Sequence, residues 1–295
     1  MKIVKNIIQI LLILILFNSC AEEELQQVPL NLDVDVQAQL QKLSFIKSFE
    51  NFEKEDVKQG LKLYTAKIKS GSDSPIAFYL LQADRSDKKI QLKTIALSAD
   101  SNQYQLATVN EMAKNASFSS KIEFAINGDF FYWTGKPWGP FIRDKQILHL
   151  QFFDTWHSYF GISADGTYQI GGNLNFTANL DTYVEVLGGV EKLVSNYSMQ
   201  SHANSEKHPR TAIAFNDQYF YVLVVDGRKP EHSIGMSLRE LSELFFSLKA
   251  KDALNLDGGG SSTLVRKDAG GFKEINVYSD AQVRAVANGL ALVVE

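Results

Sequence analysis

Residues 252–265 read DALNLDGGGSSTLV. A short apolar strand ends in the carboxylate of Asp257, three consecutive glycines and the hydroxyls of Ser261, Ser262 and Thr263. Glycine loses more backbone freedom on folding than any other residue. Three in a row at the end of a buried strand therefore imply that something approaches the backbone closely. The same grammar occurs twice more. IEFAINGDFF (122–131) runs an apolar strand into Asn127-Gly128-Asp129, and YFYVLVVDGR (219–228) runs one into Asp226-Gly227-Arg228. Each dipeptide alone is ordinary turn chemistry. Three of them on strands this apolar place polar ends together on a rigid sheet, which is how a site is built.

This convergence makes Asp257, Asp226 and Asn127 the candidate catalytic groups. Successive amides of Gly258, Gly259 and Gly260 are expected to form an anion-binding nest, assisted by the hydroxyls of Ser261 and Ser262. EKHPRTAIAF (206–215) sets His208, Arg210 and Thr211 at the head of another strand, and an arginine fork suits phosphate oxygens. With Arg228, these residues complete the expected phosphate site. Phe130, Phe131, Tyr132, Trp133 and Trp138 read equally well as a ligand-stacking wall or as core.

Around these strand ends the chain reads as α+β: a single domain with a strand-rich mixed sheet core and a few packed helices. Strands are expected at LKLYTAKI, IAFYLLQA and LKTIALSA, and again at 158–163, 167–170, 183–187, 211–216, 219–225, 253–256 and 286–294. ATVNEMAKN (107–115) reads as a helix. A second helix starts at Ser237, three residues before Glu240 in a capping-box spacing, and carries Leu238, Leu241, Leu244, Phe245 and Leu248 on one face.

The chain has 295 residues, 45% hydrophobic, with a formal net charge of -4. That sign opposes nucleic acid as a partner. There is one cysteine, so no intrachain disulfide supports the fold, which must rest on its core. The loop lacks the lysine of a P-loop, and Ser261 is not in a G-x-S-x-G elbow. The histidines at 149, 157, 202, 208 and 232 show no paired metal spacing. No cofactor is required, although the strand-end carboxylates leave room for a divalent cation with oxygen ligands. The metal content stays unknown at this level.

MKIVKNIIQILLILILFNSC (1–20) combines two lysines with an apolar run too short to span a membrane comfortably. It reads as a lipoprotein signal over 1–19, with lipidation at Cys20. A polar tether with one short helix is expected over 20–55, and the catalytic domain over 56–295. The protein is then exported and held to the membrane through Cys20, at the periplasmic face or the cell surface.

NGDFF, FGISADG, HPRTAIAF, VVDGR with the following GMSLREL, LNLDGGGSST and VANGLALV occur in this order over residues 100–295. In that order they resemble the phosphodiester glycosidase family. The resemblance carries over Asn127, Gly128, Arg210, Thr211, Asp226, Gly227, Asp257, Gly258, Gly259, Gly260 and Ser261. Asp129 stands where related sequences often have glycine, and Glu231 lies near an acid of the family at a different spacing. The resemblance implies a hydrolase that frees a sugar from the phosphate capping it. Its substrate would be a sugar-1-phosphodiester or phosphorylated glycan. Two other readings compete: a phosphodiesterase cleaving P–O, and a non-catalytic glycan-binding lipoprotein.

Overall fold

The strand Tyr219–Val225 is buried at every residue, and this determines the architecture. A strand with apolar side chains on both faces must be covered on both, so the sheet that contains it is the middle layer. In the computed structural model, which describes residues 35–98 and 103–295, that sheet has eight strands. Their order is Ile46–Lys58, Leu61–Ser70, Pro75–Asp84, Tyr219–Val225, Arg210–Phe215, Asp252–Asn255, Lys192–Ser195 and Ser198–Met199. Two five-stranded sheets accompany it. One runs Gln146–His149, Phe141–Arg143, Tyr183–Gly189, Ser158–Ser163, Tyr168–Gly171. The other runs Gly271–Glu274, Leu264–Asp268, Ile122–Asn127, Gly289–Val294, Ile90–Ile95. The mixed sheet core is thus realised as three sheets, and the described pairings are antiparallel.

Alternation along Arg210–Phe215 shows the layering. Ala212 and Ala214 face a core cluster that includes Leu241, Leu244, Phe245 and Leu248 from the helix Leu238–Ser247. Ile213 and Phe215 face the opposite cluster, where Phe124, Ile126 and Leu292 arrive from one small sheet and Phe160 and Leu187 from the other. The helix begins where its capping box demands: Ser237 Oγ accepts from Glu240 N–H, and Glu240 Oε2 accepts from Ser237 N–H at 2.8 Å. A second helix, Val109–Asn115, covers the outer face of one small sheet, and Asn173–Asn179 that of the other.

Three expectations change. The tether over 20–55 does not extend to its C-terminal part: Val36–Leu40 is the short helix, but Ile46–Lys58 is a thirteen-residue edge strand paired with Leu61–Ser70. Its side chains are mostly exposed, so backbone pairing rather than burial holds it and hydrophobic pattern misses it. The short strands Phe141–Arg143, Gln146–His149, Lys192–Ser195, Leu264–Asp268 and Gly271–Glu274 appear where no run was long enough to show alternation. The helix Asn173–Asn179 buries Phe176 alone and carries no periodic signal. The signal segment and Cys20 lie outside the described residues, and no described helix is long and apolar enough to cross a membrane.

Phe245 is fully buried between helix and sheet. Phe245→Ala is expected to lower the unfolding free energy by about 3–5 kcal/mol, from lost transfer energy and the cavity left behind. Urea denaturation followed by circular dichroism checks this.

Candidate active site

Asn127 joins the two sheets that carry the strand ends. Its Nδ2 donates to the carbonyl oxygen of Asp257 at 2.6 Å, and its Oδ1 accepts from Thr211 Oγ1 at 2.7 Å and from Thr263 N–H at 3.1 Å. Asp257 N–H donates in turn to the carbonyl of Gly128 at 3.0 Å. Segments 122–131, 206–215 and 252–265 therefore meet, and Arg228 brings 219–228 against Gly259. Asn127 itself is fully buried with its amide engaged at both ends, so it is a latch and not the catalytic group expected. Thr211 is likewise fully buried and faces Asn127 rather than a ligand.

The glycine loop differs from the expected nest. Gly259 N–H donates to the carbonyl of Pro209, and the N–H groups of Ser261 and Ser262 donate back to Gly258 and Gly259 in a tight turn. Gly258 N–H lies against the Asp257 carboxylate. The Gly259 amide is therefore already engaged. What the glycines provide is close approach. A Cβ on Gly258 would lie 2.8 Å from the Pro209 carbonyl oxygen, and one on Gly259 would lie 3.0 Å from the Arg228 guanidinium. One on Gly260 would collide with the Arg284–Asp280 ion pair. Gly259 also has φ 60°, a left-handed conformation that side chains disfavour. Arg228 itself adopts φ 57°, the kind of backbone strain that persists only where its surroundings hold it.

Arg210 is mostly buried. Its Nε donates to the Met236 carbonyl at 3.0 Å and its Nη2 to the Glu206 carbonyl at 3.2 Å. Burial weighs against its proton, Glu191 nearby favours it, and the Arg228 charge opposes it. Two guanidiniums that repel one another are the setting that a phosphate anion relieves. His208 turns its Nε2 to Glu206 at 3.1 Å and does not join the cradle. Ser261 is fully buried between the Asp257 carboxylate and Arg284, with Arg284 Nη1 at 3.5 Å from its Oγ. Ser262 is 2% exposed and its Oγ has no partner among the described residues.

Three carboxyls sit at the strand ends in different surroundings. Burial pushes the Asp257 carboxyl up to about 6, against the opposing pull of Ser261 and Arg284. Burial pushes Asp129 up to about 8, and the Asp257 charge adds to this. Asp129 is 1% exposed; its Oδ2 accepts from Gly139 N–H at 2.6 Å, while its Oδ1 has no partner among the described residues. Asp226 is also 1% exposed and raised by burial. Its Oδ2 meets His232 Nε2 at 2.7 Å, and its Oδ1 accepts from Asn276 Nδ2 and Val277 N–H. Both oxygens are occupied, so Asp226 orients His232 and the 276–277 segment instead of facing a substrate. Among the described residues, no three His, Cys, Asp or Glu side chains gather as a metal site. A cleft of about 930 Å³ is lined by Lys145, Asp165, Tyr168 and their neighbours, and none of the strand-end groups lines it.

The fold and this arrangement have relatives. A family model described as phosphodiester glycosidase matches residues 120–293, which contain Asn127, Asp129, the arginines and the glycine loop. The chain belongs to the phosphodiester glycosidase family. Human N-acetylglucosamine-1-phosphodiester alpha-N-acetylglucosaminidase is 30% identical over 186 residues, covering 54% of this chain and 34% of its own. The bovine enzyme is 31% identical over the same length, with 33% of it covered. The chain thus spans about a third of the length of these curated relatives. Among solved structures, the zebrafish catalytic domain of that name, auto-inhibited by its pro-peptide, superimposes with a TM-score of 0.62 at 18% identity. The match covers 84% of this chain and 88% of that one. A Synechocystis protein matches with a TM-score of 0.61 at 13% identity, over 83% of this chain and 64% of that one.

Four residues of this family member were not singled out by sequence. Asp129 stands two residues after Asn127, where related sequences often have glycine. Glu191 stands two residues past the strand Tyr183–Gly189, where the glycines precede the acid and the strand-end grammar is reversed. His232 sits six residues beyond Asp226, a spacing that carries no signal by itself. Arg284 lies in a polar loop and reaches Ser261 only through the return of the chain.

Asp129 gives a direct stability test. Its folded pKa lies above the unfolded value, so the folded state binds more protons and loses stability as pH rises from about 4 to about 8. Asp129→Asn keeps the acceptor for Gly139 and removes that penalty. At pH 7 it is expected to stabilise the protein by about 2–4 kcal/mol, and at pH 4 by little. Melting curves at the two pH values check the difference.

Proposed function

We propose that the protein hydrolyses sugar-1-phosphodiesters between the anomeric carbon and the bridging oxygen. The observation that carries this reading is the pair Asp257 and Asp129, held at different proton affinities beside a loop bordered by Arg210, Arg228 and Arg284. Paired titratable groups whose environments separate their pKa values reveal the division of labour. At neutral pH Asp129 holds its proton, so the single negative charge of the pair rests on Asp257. There it serves as nucleophile or as base for water at the anomeric carbon.

The leaving group is a phosphate monoester with a second pKa of about 6. It departs without full protonation, so charge stabilisation matters more than a strong general acid. Arg228 and Arg284 supply that charge, with Arg210 beside Gly258. The C1–O bond breaks, the bridging oxygen leaves with phosphorus, and the oxygen of water ends on the sugar. The named relatives support the substrate class, since their names specify an N-acetylglucosamine-1-phosphodiester. The signal-like N-terminus and Cys20 support export, lipid anchorage and a glycan or cell-envelope polymer as the natural substrate. Loss of membrane fractionation in Cys20→Ser tests the anchor.

Hydrolysis of a sugar-1-phosphodiester in ¹⁸O-labelled water is expected to place the label in the sugar. Label in phosphate would establish P–O cleavage, and binding without turnover would establish a glycan-binding protein. A parallel arm with chelator tests the divalent cation, whose removal is expected to leave the rate unchanged.

Asp257→Asn is expected to lower kcat by about 10²–10⁴-fold with an unaltered circular dichroism spectrum. The wild-type kcat/KM should follow a bell between about pH 6 and about pH 8, rising as Asp257 ionises and falling as Asp129 does. In Asp129→Asn the alkaline limb should vanish while the acidic limb remains. A stopped assay across pH 4–10 reads both limbs.

A further inference from the structure

Beside Glu191 the surface opens into a cavity of about 370 Å³, inside the roughly 300–1,000 Å³ range of small-molecule sites. Trp156, His157, Glu191, Lys192, Gln200 and His202 line it. Glu191 ties it to the strand that leads into Asp257: its carboxylate accepts from Asn255 Nδ2 at 3.4 Å and its carbonyl from Asn255 N–H at 2.9 Å. The same carboxylate favours the Arg210 charge.

The indole of Trp156 is held in place on one side. It stacks on the His157 ring at 4.1 Å between centroids, with 29° between the planes. His157 is 1% exposed and is fixed in turn: its Nδ1 accepts from Asp154 N–H at 3.1 Å, and Trp138 and Phe153 meet it edge-on at 5.6 and 5.4 Å. Trp138 is itself stacked between Phe130 and Phe153. The expected aromatic wall after Asn127 is therefore divided. Phe131 packs into a core cluster, Trp133 stands 88% exposed, and Trp138 braces a ring that arrives from a different loop. Trp156 remains 50% exposed, an immobilised indole at the edge of a polar cavity. Around it, the Glu191 carboxylate accepts, the Lys192 ammonium donates, and the Gln200 amide does both.

A flat apolar face combined with donors and acceptors at its rim matches a pyranose. The C–H face of the ring lies on the indole, and its hydroxyls meet the polar groups. We propose that the cavity lined by Trp156, Glu191, Lys192 and Gln200 is a pyranose-binding subsite adjoining the phosphate cradle. The inference deepens the proposed activity and rests on it for the placement of the phosphate. The ring is either the sugar released from phosphate or the first sugar beyond it, and the chemistry of recognition is the same.

The test has a binding arm that needs no turnover. Phosphate-free methyl glycosides of N-acetylglucosamine, glucose and mannose are titrated into the full chain while tryptophan fluorescence and saturation-transfer NMR are recorded. At least one is expected to bind, with affinity about tenfold lower in Trp156→Ala and largely recovered in Trp156→Phe. Gln200→Ala, at a second wall of the cavity, should weaken the same glycoside without disturbing the indole. Binding that is the same in all variants, or binding of uridine in preference to every glycoside, overturns the proposal. A kinetic arm compares a sugar-1-phosphodiester carrying a methyl aglycone with one carrying a hexosyl aglycone. A higher KM in Trp156→Ala for both places the released sugar in the subsite, and a higher KM for the hexosyl diester alone places the aglycone there. KM unchanged for both overturns it. Glycoside binding at Trp156 in a protein that hydrolyses neither diester would remove the proposed activity and leave the subsite standing.

Discussion

One buried amide keeps the proposed chemistry in one place. Asn127 belongs to a small sheet, whereas Thr211 and Asp257 belong to the strands and loop of the large one. With both ends of its side chain engaged, Asn127 holds the ends of two sheets in register. Removing it would leave a buried hydroxyl, a backbone N–H and a carbonyl without partners, each costing about 1–3 kcal/mol. The latch also positions Asp257, because the residue whose carbonyl it grips carries the candidate nucleophile. The position of the loop depends on this closure.

Electrostatics at the site follow from how the loop is filled. Gly259 and Gly260 admit the Arg228 and Arg284 guanidiniums, Gly258 admits the Pro209 carbonyl, and a side chain at any one of them would collide with these groups. Positive charge is therefore gathered locally on a protein whose net charge is -4. The carboxyls lie in the same low-dielectric region, and burial raises their proton affinities instead of leaving two anions side by side. Asp226, with both oxygens committed, is structural support for His232 and the 276–277 segment. The strained Arg228 backbone belongs to the same economy of a rigid site.

Much of the fold was legible. The buried strands Ser158–Ser163, Tyr219–Val225 and Ile122–Asn127 carry continuous apolar runs, and the helix from Leu238 announces itself through its capping box and periodicity. The edge strand Ile46–Lys58 was not legible, because its order comes from ladder hydrogen bonds to Leu61–Ser70 and its side chains face water. For the site, the strand-end grammar located the right places and misjudged several roles. It read Asn127 as a reactive group because an amide after a buried strand looks the same whether it faces a ligand or a neighbouring sheet. It read the glycine amides as free donors, although the Gly259 amide is taken by the Pro209 carbonyl.

By itself the sequence determined the strand-rich composition, the points at which strands end in polar residues and the family to which those points correspond. These are properties of short segments, where periodicity and turn chemistry operate over a few residues. Only the tertiary structure decided which polar ends face one another, which are consumed as latches, and that Asp129, Glu191 and Arg284 join them. Those assignments depend on burial and on the charge of groups distant along the chain. Both are set by the packing of three sheets, and neither is encoded in any local window.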